Sequence, residues 1–216
     1  GELLETLTLT KTAASSRYTA RDNVTYVLSL VNGGTAPLTE LTLTDNLGGY
    51  AFGTDTVYPL TYNEGTLRVY VNGVLQTTPT VTAGPPLTVT GLTVPAGGNA
   101  LLVYEAAVTR YAPLDQEAAI TNTATVTGGG LAASLTAQAT LAAAQRADLT
   151  VSKAICPATV TESGQLTYTF VLQNFGNTAA TAGDNVILTD TFDPALTGLT
   201  VTYNGDAWKE GDNYTY

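Results

Sequence analysis

The stretches LTLTKTA (residues 7–13) and LTVSKAI (149–155) decide how this chain folds. Each alternates apolar residues with Thr or Ser, and each carries a lysine on its apolar row. Strict alternation marks a half-buried strand, whose side chains point to opposite faces in turn. Working outward, VTYVLSLVNGG (24–34) returns as LTYTFVLQNFG (166–176). The offset is a constant 142 positions, from Lys11 to Lys153, Tyr26 to Tyr168 and Asn32 to Asn174. A third block, LTLTDNL (41–47), matches VILTDTF (186–192), so that Asp45 answers to Asp190. Three blocks in one order identify an internal repeat. The expected domains are a complete unit over 1–145 and the N-terminal part of a second over 146–216.

Between these blocks the texture is that of short strands. Apolar residues alternate with Thr, Ser or Tyr, and Gly, Asn, Asp and Pro punctuate the runs. The pattern predicts strands near 5–12, 23–32, 38–45, 66–71, 86–94, 100–110, 118–127 and 131–142 in the first unit. In the second it predicts 148–155, 165–174, 185–191 and 199–203. Asn72-Gly73, between VYV and VLQ, is a hairpin signal. The Ala-rich stretch 142–147 is too short to hold a helix on its own and reads as the junction. Strands of this number and spacing predict an all-β chain of tandem immunoglobulin-like Greek-key β-sandwiches, the second one incomplete.

Composition narrows the function. With 216 residues the chain can bury a core in each of two units. A net charge of −10 offers nothing to neutralise a run of phosphates, so nucleic acid is not an expected partner. No apolar stretch approaches the roughly 20 residues of a membrane-spanning helix, and no membrane insertion is expected. The chain has no His and a single Cys, which removes the usual general base, the usual metal ligand and any disulfide framework. A multiple-turnover enzyme is therefore not expected.

The informative residues are polar ones standing on apolar rows. Lys11 follows Leu7 and Leu9, and Lys153 follows Leu149 and Val151. Asp45 follows Leu41 and Leu43, and Asp190 follows Val186 and Leu188. In ITNTATV (120–126), Asn122 shares a row with Ile120, Ala124 and Val126. Burying an unpaired ammonium or carboxylate costs several kcal/mol, and a chain only 12% charged has little reason to do so twice. Three readings follow: strand-end residues whose head groups reach water, a buried Lys11–Asp45 ion pair, or a reactive trio. In the third, burial favours the neutral amine, which is a nucleophile. Lys11 then attacks the Asn122 carboxamide while Asp45 polarises the amide and moves protons. Glu105, in LLVYEAAV (101–108), is the rival carboxyl, since both rows of that strand are apolar and its direction is open.

The motifs K-T (11–12), V-T-Y…N-x-G (24–34), L-T-D (43–45) and I-x-N-T-A-x-V (120–126) resemble the repeat of bacterial surface proteins known as domain of unknown function eleven. Their Lys, Asp and Asn order also resembles A-type domains of collagen adhesins and sortase-assembled pilins. The resemblance implies a spontaneous Lys–Asn isopeptide bond between the first and last strands. Lys11 would be the amine, Asn122 the acceptor and Asp45 the catalytic carboxyl. It further implies an extracellular stalk or adhesin repeat on a bacterial cell surface, with neighbouring repeats of the same parent as its partners. The alternative is an adhesion module for host protein or glycan, without the bond.

The second unit reaches residue 216 before any equivalent of Asn122, so Lys153 and Asp190 are expected to form no bond there. Its open strand edges would favour self-association. No cofactor is expected. Calcium is the metal that the oxygens of Asp148, GDN (183–185) and residues 204–213 would suit, but no stretch has an alternating ligand loop closed by a Glu. Trp208 with Tyr203, Tyr214 and Tyr216 reads either as a sugar-stacking platform or as the uncovered core of the second unit.

Overall fold

The computed structural model describes residues 7–211 and 214–215. Residues 5 and 6 of the first predicted strand, and Asp212, Asn213 and Tyr216 among the residues singled out above, lie outside them. The described residues are all-β apart from one 3₁₀ turn at Ala182–Asp184. In chain order the strands are β1 (Leu7–Ala13), β2 (Arg17–Tyr18), β3 (Asn23–Asn32), β4 (Leu38–Asp45), β5 (Tyr50–Phe52) and β6 (Asp55–Val57). There follow β7 (Leu60–Tyr62), β8 (Arg68–Val71), β9 (Val74–Leu75), β10 (Thr80–Thr82), β11 (Leu87–Val94) and β12 (Asn99–Val108). The last are β13 (Ala119–Gly128), β14 (Leu135–Ala143), β15 (Leu149–Cys156), β16 (Thr167–Asn174), β17 (Val201–Tyr203) and β18 (Asp206–Trp208).

The first repeat is an immunoglobulin-like sandwich of two six-stranded sheets, one ordered β1-β3-β12-β8-β9 with β7 also on β12, the other β10-β11-β4-β13-β14-β2. The opening strand serves both. β1 runs antiparallel to β3, and after residues 14–16 the chain crosses to lay β2 parallel to β14. Alternation is the reason these segments pair face to face. β1 buries Leu7, Leu9 and Lys11, and β3 buries Val24, Tyr26, Leu28, Leu30 and Asn32. The Thr and Ser between them remain outside. The inner rows of both sheets form one core in which Leu28, Leu30, Leu41, Leu87 and Leu102 are fully excluded from water.

The repeated N-x-G motif is a loop device. Asn32 Oδ1 accepts the Gly34 N–H at 3.0 Å, and its Nδ2 donates to the Ala36 carbonyl at 2.8 Å. Asn174 does the same with Gly176 at 2.9 Å and Thr178 at 2.7 Å. Each asparagine thereby holds the turn that follows its strand. Hairpin β15–β16 also repeats the register of β1–β3, since Lys153 stands opposite Phe170 as Lys11 stands opposite Leu28.

Compactness divides the chain into Gly1–Ala179 and Ala180–Tyr216, whereas the expected domains follow the sequence repeat. Hairpin β15–β16 stays with the sandwich because Asn177 Nδ2 donates to the carbonyls of Leu114 and Ala144, each at 2.8 Å. Residues 185–191, expected as a strand, form none. Their counterpart β4 lies between β11 and β13, and an alternating pattern becomes a strand only where a neighbour completes its ladder. Among the described residues no strand flanks 185–191.

This core sets a simple expectation. Leu28→Ala should lower unfolding stability by about 2–5 kcal/mol in denaturant titration, while Thr8→Ala on the outer face should change it by less than about 0.5 kcal/mol. Equal effects would contradict the assignment of faces.

Candidate functional site

The three polar residues on apolar rows meet inside the sandwich. Lys11 comes from the edge strand of one sheet; Asp45 and Asn122 come from β4 and β13, adjacent strands of the other. The side chains of Lys11 and Asp45 are both 0% exposed, with Nζ and Oδ2 2.5 Å apart. Asn122 is likewise fully buried. The strand-end reading, with Lys11 reaching water, is thus at odds with this arrangement.

Local geometry aims each group. Asp45 is the last residue of β4, and its Oδ1 accepts the Leu47 N–H at 2.9 Å. That contact occupies Oδ1 and leaves Oδ2 facing Lys11. Tyr104 was missed by pattern reading, yet its hydroxyl is the hub of the cluster. It donates to Asp45 Oδ2, accepts from Asn122 Nδ2 at 3.1 Å, and lies 3.3 Å from Lys11 Nζ. The Tyr104 hydroxyl thus bridges Asp45 and Asn122. Tyr26, opposite Tyr104 on β3, stacks on it with ring centroids 5.6 Å apart. The Lys11 ammonium sits 4.7 Å above the centre of the Tyr26 ring, a cation–π contact. Among the described residues, two buried side-chain polar atoms lack a hydrogen-bond partner: the Tyr26 hydroxyl and Asn122 Oδ1.

Burial governs the charges. It lowers the Lys11 pKa from 10.5, and the neighbouring Asp45 carboxylate only partly offsets this. Burial also pushes both tyrosines up, with Asp45 adding to the rise at each. Asn122 draws Tyr26 back in part, although the two fall outside hydrogen-bond geometry. Burial thus moves Lys11 toward its neutral form and keeps both phenols protonated.

The remaining sequence candidates lie elsewhere. Glu105 follows Tyr104 on β12 and is exposed on the outer face, away from the core. Lys153 lies 4.4 Å above the Tyr168 ring, repeating the Lys11–Tyr26 stacking, but on an exposed hairpin. Asp190 is exposed and accepts the Thr191 N–H at 3.0 Å. Tyr203 and Trp208 stack on each other across β17–β18 with centroids 5.1 Å apart.

No protein-family model matches the chain, and no curated protein matches it in sequence. The likeness to domain of unknown function eleven rests on the motifs alone. Solved structures of similar chain path are distant in sequence. The pilus backbone protein of Streptococcus pneumoniae is 15% identical with a TM-score of 0.45, over 56% of this chain and 31% of that one. The major pilin subunit of Bacillus cereus is 13% identical with a TM-score of 0.46, over 67% and 42%. The collagen-binding subdomain of an Enterococcus faecalis surface protein is 7% identical with a TM-score of 0.40, over 64% and 99%. The chain thus spans less than half the length of either pilin.

The lowered lysine makes a testable pH dependence. In an Asn122→Ala chain the amine cannot be consumed. The unfolded chain then holds the Lys11 proton up to 10.5 while the folded one releases it earlier. Between those values the unfolded state binds more protons, so stability rises with pH. Above 10.0 the raised tyrosines act in the opposite sense, keeping in the fold protons that the unfolded chain gives up. Urea midpoints of this variant should climb as pH approaches 10.0; a steady fall would contradict the lowered amine.

Proposed function

We propose that the chain is a structural stalk or adhesin repeat of a bacterial cell-surface protein, with its first domain closed by an isopeptide bond between Lys11 and Asn122. The observation that carries this reading is the wholly buried Lys11–Asp45 pair joined to Asn122 through one hydroxyl. A buried pair of this kind often adds no stability over apolar residues of similar size, which favours a chemical role for it. Lys11 Nζ, having passed a proton to Asp45, attacks Asn122 Cγ. Negative charge develops on Oδ1, the Asp45 proton is delivered to Nδ2, the Cγ–Nδ2 bond breaks as the C=O bond reforms, ammonia leaves, and Asp45 takes a second proton from Nζ. Proximity inside a closed core replaces the encounter of two reactants. The event happens once per chain, so the protein is its own substrate and no cofactor takes part.

The product is mechanical. A tie between β1 and β13 closes a loop of about 110 residues, which by chain-entropy reasoning stabilises by on the order of 4–5 kcal/mol. It fastens the edge strand of one sheet to a central strand of the other, and it needs no oxidising compartment. Such a repeat suits a position outside the cell, with neighbouring repeats as its partners. Pilus backbone and collagen-binding subdomain describe the distant structural neighbours; for this chain the reading rests on the buried cluster.

Intact-mass measurement of the full chain should find it lighter than its sequence by one ammonia. Lys11→Ala, Asn122→Ala and Asp45→Ala should each restore the sequence mass, and Glu105→Ala should not. A wild-type chain at full mass, or loss of the bond in Glu105→Ala but not in Asp45→Ala, would contradict the assignment.

A further inference from the structure

Resting on the cross-linking reading above, we infer that the Tyr104 hydroxyl is a catalytic group of that reaction, carrying a proton from Asp45 to the departing nitrogen of Asn122. Among the described residues it is the one group hydrogen-bonded to all three partners. It touches Asp45 Oδ2, lies 3.1 Å from Nδ2 and 3.3 Å from Nζ. Nδ2 must gain a proton before it leaves as ammonia, and its hydrogen-bond partner in the cluster is this hydroxyl.

The protons balance through it. The paired lysine begins with three protons on Nζ and Asp45 with none. The first passes from Nζ to Oδ2, which turns Asp45 from acceptor to donor toward the tyrosine oxygen. As Nζ bonds to Cγ, Nδ2 becomes pyramidal and regains its lone pair. Tyr104 gives its hydroxyl proton to Nδ2 and takes the Asp45 proton in the same movement. The Cγ–Nδ2 bond then breaks and the C=O bond reforms. The second Nζ proton returns to Asp45, and the third stays on the new amide. Asp45 ends as a neutral acid, so no bare charge is left in the core. The raised phenol supports this, since it keeps the hydroxyl protonated and able to serve as both donor and acceptor.

The test uses the full chain made by cell-free synthesis and sampled over time for ammonia loss by intact mass. Tyr104→Phe keeps the ring on its Tyr26 neighbour and removes only the hydroxyl. Wild type should convert, and the variant should convert roughly 100- to 10,000-fold more slowly. A crystal structure of the variant should still hold Lys11 against Asp45, with Asn122 unreacted. Equal rates in the two chains would overturn the relay and leave the cross-link standing. Slow conversion with Lys11 displaced from Asp45 would also overturn it, because the hydroxyl would then be positioning the pair. A wild-type chain that retains its ammonia removes the cross-linking reading, and the relay with it.

Discussion

Everything distinctive in this molecule depends on one contact, the Lys11–Asp45 pair held 2.5 Å apart with no access to water. An ion pair at that depth gives back little of what desolvation costs. What the cross-linking reading needs from it is a proton transfer. With the proton on the lysine the pair is ionic; with it on the aspartate the core holds a free amine and a neutral acid, and the lysine is a nucleophile. The aromatic floor of Tyr26 and Tyr104 suits both states, because a ring face tolerates a cation and packs equally well against a neutral amine.

The sandwich is arranged so that this pair straddles its two sheets. Lys11 belongs to an edge strand, the element most easily peeled from a sheet, while Asn122 sits on β13 between β4 and β14. A bond between them would stitch the weakest edge to the interior of the opposing sheet. The chain also uses the opening segment noncovalently for the same end, by sending β2 across to β14.

Much of this was legible in the alternation of residues. Period-2 reading of β1, β4 and β13 placed Lys11, Asp45 and Asn122 on inner rows, and each is buried. The reading worked because the opposite row of each strand is polar. It failed at β12, where Leu101 and Val103 rival Leu102 and Tyr104 in hydrophobicity, so neither the outward direction of Glu105 nor the inward direction of Tyr104 could be chosen. The pairing of Tyr104 with Tyr26, itself on a clearly alternating strand, is the signal that resolves it, and it exists only in the fold. Residues 185–191 show the converse limit. VILTD keeps the apolar row of LTLTD and its aspartate, with Ile187 in place of Thr42, but strand formation needs a neighbouring ladder as well as a pattern.

The covalent tie between sheets is tested most directly by crystallography of the wild-type chain at a resolution that separates single bonds. Continuous density from Lys11 Nζ to Asn122 Cγ, with no Nδ2 atom left on the asparagine, is the result this account predicts. An intact carboxamide beside a lysine whose amine reaches bulk water would contradict it.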